Sequence, residues 1–281
     1  MPQTECSIDI HMGEYLPFAG TNAIVEMSVG IQVQSQFDSI TGESLEAVKR
    51  DFASDFPKFE PVQQFVLNIG VSVPFANPPS SPGSSGFVLT RSKPDASPAR
   101  ILRVMGNTIS IHFLEYDSWT QTKSLVINYF QRCFRLTGII EKHAAVAVFM
   151  RYIDRFTFDG DPQAANAELL FRENSKFLPS VIYDSDNLWH SNSGWYDSLS
   201  DEMKALNNLN IASTIQPVVG ITVDHTNVFS FPKPCNSSVE LFEKPQSQCA
   251  LLSILDKQHL ANTVILKNLL SKMMLDTIGL K

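Results

Sequence analysis

The segment that most constrains the fold is a long alternating stretch over residues 143–159. Tyr152 and Asp154 fall on one face of the alternation, and Arg151 and Arg155 fall on the other. Because successive side chains of a β-strand point to opposite faces, the pattern predicts one continuous strand. Its length of roughly 16 residues exceeds the usual 5 or 6, so the strand either bends or serves two packing layers.

Further strands and helices are indicated by the same kind of periodicity. Alternating apolar residues predict strands over 24–34, 65–73, 86–91, 100–105, 108–114, 209–215 and 218–231. Apolar residues three and four positions apart predict helices over 44–56, 119–135, 161–171 and 247–278. Gly106 and Asn107 mark a two-residue hairpin turn, because both accept a positive φ. These short connections favour an α+β fold with mainly antiparallel sheet, a central helix and a long C-terminal helix.

Two segments lack such periodicity. Residues 74–86 contain four prolines, four serines and two glycines, which predicts a mobile surface loop. Residues 183–203 are aromatic and acidic, and they are predicted to be irregular.

Length and composition limit the class of protein. A chain of 281 residues with 43% apolar residues is expected to form a single globular unit, with two subdomains over 1–140 and 141–281 as the alternative. No run approaches the roughly 20 apolar residues that span a bilayer. The first residues lack the basic start and apolar stretch of a secretory signal. A cytoplasmic protein with no membrane contact is therefore expected.

No catalytic or cofactor signature is recognisable. The chain has no GxSxG or HExxH motif, and no glycine-rich turn leads from a strand into a helix, which excludes the Rossmann and P-loop classes. The four cysteines, Cys6, Cys133, Cys235 and Cys249, are too far apart for a zinc knuckle. We therefore expect no cofactor and favour a protein that is not an enzyme.

The basic residues are concentrated in the middle of the chain. Between Arg91 and Arg155 there are ten basic and five acidic residues, a local balance of +5 in a chain whose net charge is −7. The candidates for an anion- or RNA-binding surface are Arg100, Arg103, Arg151 and Arg155, with Trp119 available for stacking. The alternative is that neighbouring carboxylates, including that of Asp154, neutralise these arginines.

Two weaker sets of candidates lie further along the chain. Asp184, Asp186 and His190 offer oxygen and nitrogen ligands for a metal ion, although an Asp-x-Asp pair in a loop is more often a turn or a helix cap. His225 lies on the inward face of the strand over 218–231. His259 and Asn262 interrupt the apolar stripe of the last helix. These three residues predict a polar network in the core, with a site lined by both histidines as the alternative.

Several short motifs occur in order along nearly the whole chain. They are Asn22-Ala23-Ile24-Val25-Glu26, Phe56-Pro57, Gly86-Phe87, Trp119, Arg151-Tyr152-Ile153-Asp154-Arg155 and Ile221-Thr222-Val223-Asp224. In these motifs the chain resembles a sporadically distributed family of bacterial and archaeal proteins of unknown function. The resemblance implies an accessory protein of defence, toxin–antitoxin or mobile-element loci, and it transfers no catalytic residue.

Two functions follow as expectations. The first is a non-enzymatic accessory binding protein, antitoxin-like or associated with phage defence, whose partner is another protein or a second copy of the chain. The second is an RNA- or nucleotide-binding protein, with nuclease activity as a variant, that uses the arginine-rich surface.

Overall fold

A computed structural model describes residues 13–37, 40–63, 84–185, 188–200, 203–244 and 250–280 of the chain. One antiparallel sheet of ten strands organises these residues, in the order β3-β4-β5-β6-β2-β7-β10-β9-β8, with β1 paired to part of β7. The strands are β1 (Glu14–Pro17), β2 (Ile24–Val33), β3 (Lys58–Gln63), β4 (Ser84–Ser92), β5 (Pro98–Met105), β6 (Thr108–Phe113), β7 (Ala145–Asp159), β8 (His190–Ser200), β9 (Met203–Thr214) and β10 (Gly220–Cys235). The predicted α+β class with a mainly antiparallel sheet is confirmed.

Helices pack against one face of this sheet. They are α1 (Gly42–Phe52), α2 (Trp119–Thr137), α3 (Ile139–Lys142), α4 (Ser238–Phe242), α5 (Leu251–Leu269) and α6 (Lys272–Thr277). The central helix α2 begins where the Ser118 hydroxyl accepts a hydrogen bond from the Gln121 backbone N–H, and it ends at Gly138 with a φ of 62°. None of the described helices is both long and apolar enough to cross a membrane.

The strand β7 lies at the centre of the sheet. It pairs with β2 on one side and with β10 on the other, so it is hydrogen-bonded along both edges. Tyr152 and Phe156 are buried on its helix-covered face. Arg151 and Ile153 point to the opposite face, which we call the open face because the described helices do not pack on it. The predicted strand is confirmed, and it serves as one long central strand.

The order of elements is similar on both sides of the β2–β7 pair. On one side β2 pairs with β6, the last strand of the β3–β6 meander, and the helix α2 follows. On the other side β7 pairs with β10, the last strand of the β8–β10 meander, and after the short helix α4 the long helix α5 follows. A continuous sheet joins the two halves. The alternative division of the chain into two subdomains near residue 140 stays a prediction.

Two predictions for the second half are wrong. Residues 190–200, which were expected to be irregular, form β8 and pair with β9. Small polar residues such as Ser191 and Ser193 occupy its helix-covered face, so the strand has no apolar alternation to reveal it. The expected short helix over 161–171 is two 3-10 turns, Pro162–Ala164 and Ala167–Leu169.

The C-terminal helix is also shorter than the single helix predicted over 247–278. It is divided at Leu270, whose φ of −80° and ψ of 150° are extended, and the Ser271 hydroxyl caps α6. At this break the backbone bonds to another segment, with Ser271 N donating to Leu170 O and Arg172 N donating to Leu269 O. Tertiary hydrogen bonds therefore replace helical ones. The predicted strand over 65–73 and most of the predicted loop over 74–86 lie outside the described residues.

Gly30 provides a test of the packing between the two central strands. It lies in β2 opposite Phe149 of β7, and a Cβ at position 30 would overlap the Phe149 ring and approach Ile109 O at 3.1 Å. We expect Gly30→Ala to lower the free energy of unfolding by about 1–3 kcal/mol, because the ring must move out of its place. Urea unfolding measures the effect.

The control is Gly42→Ala at the first residue of α1, where an added Cβ would meet nothing within 4 Å. This variant should match the wild type or be slightly more stable, because alanine favours a helix over glycine. Equal losses in the two variants would contradict the packing argument.

Candidate functional site

A cavity of about 440 Å³ lies between the helix-covered face of β7 and the helix α5. We call it the Asp154 cavity. Its polar lining comes from β7, from the residues before β2 and α2, and from α5, and its far wall is formed by Ile278 and Leu280 at the C-terminal end. The polar side chains of this lining include those of Asn22, Tyr116, Tyr152, Asp154, His259 and Asn262.

Asp154 is the most unusual residue of this cavity. It is only 2% exposed, and its Oδ2 atom has no hydrogen-bond partner among the described residues. Burial raises the pKa of the carboxyl from 3.8 to about 7, because a charged carboxylate is poorly solvated there. A buried polar atom without a partner, on a residue that lines a cavity, marks a carboxyl group that a ligand can satisfy.

Asp154 does not neutralise the neighbouring arginines. Arg151 and Arg155 precede and follow it at odd spacing, so their side chains lie on the open face while Asp154 lies on the helix-covered face. The expectation that Asp154 pairs with the arginine cluster is wrong for this reason.

A chain of hydrogen-bonding groups runs along one wall of the cavity. The Tyr152 hydroxyl lies 2.8 Å from His259 Nδ1, and the Tyr116 ring meets the Tyr152 ring edge to face with centroids 6.3 Å apart. Burial raises the pKa of Tyr116 to about 12 and that of Tyr152 well above its usual value. Burial also lowers the pKa of His259, which favours the neutral form of its ring. All three groups are therefore neutral hydrogen-bonding groups at physiological pH.

Trp119 and Asn22 hold this wall in place. The Trp119 ring stacks on His259 with centroids 4.6 Å apart and planes inclined by 15°. Its Nε1 atom donates to Asp256 Oδ1 at 3.0 Å, and Lys123 Nζ lies 2.8 Å from the same oxygen. On the other side, Asn22 Nδ2 donates to the Tyr116 backbone oxygen at 2.7 Å. Trp119, which the sequence offered for stacking on RNA, contacts His259 instead.

His225 and Asn262 form a polar network behind the cavity. His225 is 1% exposed, with Nδ1 at 3.0 Å from Asn262 Oδ1 and Nε2 at 3.1 Å from Asn207 Oδ1. Asn207 Nδ2 continues the network by donating to Asp197 Oδ2 at 2.8 Å. Burial lowers the pKa of His225. The structure thus places His225 in a core network, His259 in the cavity wall, and Asn262 in both.

A second cavity of about 690 Å³ lies on the neighbouring side of α5. Leu260 and Ala261 of α5 line it together with Trp195 and Asp197 of β8 and with Lys176. Asp197 therefore links this cavity to the network of His225 and Asn262.

The four candidate arginines do not converge. Arg100 lies on the helix-covered side, where its Nη1 atom donates to the Tyr129 hydroxyl at 3.2 Å. Arg103, Arg151 and Arg155 lie on the open face, and Arg151 forms a two-pronged ion pair with Asp224 at 2.8 and 2.6 Å. None of the four lines either cavity.

Asp184 and His190 are the weak metal candidates that the structure describes. Asp184 is exposed in a turn, His190 begins β8 on the open face, and Asp186 lies outside the described residues. Within the described parts of the chain, no group of three or more His, Cys, Asp or Glu side chains is placed to hold a metal ion.

The burial of Asp154 could be predicted from its position in the alternating pattern of β7. Asp154 shares the phase of Tyr152 and Phe156 in the alternating strand, and that phase marks the buried face. A carboxylate in this phase without a nearby arginine in the same phase indicates a buried acid. Tyr116 and Asn22 could not be assigned to the site, because they precede α2 and β2 and reach it only through the fold.

Comparison with known proteins does not assign the chain to a family. No protein-family model matches the chain, and no curated protein matches it. A similar solved structure is that of the di-domain ARO/CYC BexL from the BE-7585A biosynthetic pathway, with 11% sequence identity over 86% of this chain and 95% of that chain. Its TM-score of 0.17 is too low to support any argument about fold or function. The resemblance to a sporadically distributed family stays a prediction.

The raised pKa of Asp154 predicts how stability depends on pH. A carboxyl whose folded-state pKa is about 7, against 3.8 unfolded, contributes stability below pH 4 that is lost as the pH rises through 7. Asp154→Asn does not titrate, so its stability relative to wild type should increase by about 2–3 kcal/mol between pH 5 and pH 8. Urea unfolding at the two pH values measures this change.

Asp224→Asn is the control, because Asp224 lies on the open face and is paired with Arg151. It should not reproduce the gain at pH 8. A difference between Asp154→Asn and wild type that is the same at both pH values would show that the Asp154 carboxyl is not perturbed.

Proposed function

We propose that the protein binds a small neutral or cationic organic molecule in the Asp154 cavity. The observation that carries this proposal is the unpartnered Oδ2 atom of a buried Asp154 in a cavity of about 440 Å³. A ligand that donates a hydrogen bond to this oxygen satisfies a group that is otherwise costly to bury.

The charge of the lining supports a neutral or cationic ligand over an anionic one. The described residues that line the cavity include Asp117 and Asp154 but no lysine or arginine. A phosphate or carboxylate would meet no compensating cation and would be repelled by an ionised Asp154. The aromatic rings of Tyr116 and Tyr152 provide apolar surface for the body of the ligand.

This proposal makes the chain a binding protein, in keeping with the accessory role expected from the sequence. The expected protein partner and the role in defence or in a toxin–antitoxin pair stay predictions. The supporting observation concerns a small ligand and is independent of any such partner.

Three probes of one shape and different charge test the proposal. Benzamidine carries a planar cation, benzamide is neutral, and benzoate is an anion. We expect ligand-observed NMR titrations at pH 8 to give the order benzamidine, benzamide, benzoate, with benzamidine at least about 10-fold tighter than benzoate, because Asp154 is mainly ionised there. The affinity for benzamidine should fall as the pH is lowered from 8 to 6.

Asp154→Asn should remove the preference for benzamidine over benzamide, and Asp224→Asn should retain it. Equal affinities for the three probes in the wild type, or an unchanged preference in Asp154→Asn, would contradict the proposal.

A second candidate, RNA binding, is favoured by the position of three arginines. Arg103, Arg151 and Arg155 lie on the open face, and Arg103 is exposed. Phosphate contacts by such residues make affinity fall with salt. Arg103→Ala/Arg155→Ala should weaken binding of a single-stranded RNA oligonucleotide by about 10-fold and lower the salt dependence by up to about 1.4 in log–log slope.

The matched control is Lys49→Ala/Arg50→Ala, which removes the same charge from exposed positions of α1. If this pair weakens RNA binding as much as the arginine pair does, the open face is not the RNA surface.

A further inference from the structure

We propose that the Asp154 cavity catalyses proton transfer at a carbon atom next to a carbonyl group, with Asp154 as the base and Tyr116 as the hydrogen-bond donor to the carbonyl oxygen. This inference rests on the proposed function, because it assumes that a small neutral molecule enters the cavity. It goes further by assigning a reaction to the site.

The first support is the arrangement of an acceptor and a donor around one space. The unpartnered Oδ2 atom of Asp154 and the hydroxyl of Tyr116 belong to residues that line the same cavity. A carbonyl compound placed between them can accept a hydrogen bond from the phenol while its neighbouring C–H group faces the carboxylate.

The second support is the direction of the hydrogen-bonded chain. When His259 Nδ1–H donates to the Tyr152 oxygen, the Tyr152 hydroxyl is free to donate toward Tyr116, and the Tyr116 hydroxyl is then left to donate to a ligand. This direction requires the neutral His259 tautomer that is protonated at Nδ1, an assignment made from the hydrogen-bond network. Each bond in such a chain polarises the next, so the last phenol becomes a stronger donor. Tyr152 and His259 are therefore positioning residues.

The reaction is balanced without a cofactor. The Asp154 carboxylate takes a proton from the carbon next to the carbonyl group. The C–H electron pair forms a carbon–carbon double bond, and the carbonyl π pair moves to the oxygen as an enolate, which Tyr116 stabilises. Asp154 then either returns this proton to a conjugated carbon, which isomerises the compound, or exchanges it with water and returns a solvent proton to the same carbon, with no net oxidation or reduction.

The pKa of Asp154 suits this role. At about 7, the carboxyl is partly ionised at neutral pH and is a stronger base than an ordinary aspartate. The other titratable groups that line the cavity are Tyr116, Tyr152, His259 and Asp117. Burial raises the pKa values of both tyrosines and lowers that of His259, in each case away from 7.

Hydrogen–deuterium exchange of cyclohexanone tests the proposal. The α-protons of this ketone are followed by proton NMR in D₂O with and without the full-length protein. We expect exchange above the buffer rate, a rate that increases with pH through about 7, and a loss of about 100-fold or more in Asp154→Asn. Tyr116→Phe should lower the rate by about 10- to 100-fold and leave the pH midpoint in place.

Tyr129→Phe is the matched control, because Tyr129 is a buried residue of α2 that does not line the cavity. Its rate should equal that of the wild type. Urea unfolding of each variant at the assay pH shows whether it is folded.

Exchange at the buffer rate, or exchange that Asp154→Asn does not reduce, overturns the proposal. Benzamidine binding in the same samples separates the two claims. If benzamidine binds with its dependence on Asp154 and no exchange occurs, the binding function stands and the reaction is refuted. If benzamidine does not bind and cyclohexanone does not exchange, both the binding function and the reaction are refuted.

Discussion

The alternation of side chains along β7 is the constraint on which both surfaces of the molecule depend. The strand is paired along both edges, so it cannot rotate to move a side chain from one face to the other. Arg151 is therefore committed to the open face, and Asp154, three residues later, is committed to the helix-covered face. One strand thus separates a paired charge in contact with solvent from an unpaired acid in the core.

Burying Asp154 without a partner opposes folding, and the remainder of the core must offset it. The neighbouring residues Tyr152 and Phe156 are almost fully buried, and the helix α5 packs over them. Burial of such side chains contributes about 1.5–3 kcal/mol each, comparable to the cost of a carboxyl whose pKa is raised to about 7. A cavity that retains a destabilising acid within a well-packed core is typical of a site kept for binding or chemistry.

The spacing of apolar residues along the sequence was sufficient to predict much of the fold but few residues of the Asp154 cavity. The long strand and the central helix were predicted because their apolar spacing is regular, and the hairpin was predicted from its turn residues Gly106 and Asn107. The strand β8 was missed because small polar residues occupy its helix-covered face, and the break at Leu270 was missed because it is set by hydrogen bonds to residues 170–172. His225 and Asn262 were recognised as polar core residues. The Asp154 cavity was not recognised, because Asn22, Tyr116 and His259 meet only after the sheet and α5 have come together.

The helix α5 is a wall shared by two cavities. His259 and Asn262 face the Asp154 cavity, while Leu260 and Ala261, between them in the chain, face the second one. Because one 19-residue helix lines both spaces, a shift or rotation of this helix that enlarges one of them reshapes the other. A ligand that displaces α5 in one cavity would therefore change the volume of its neighbour.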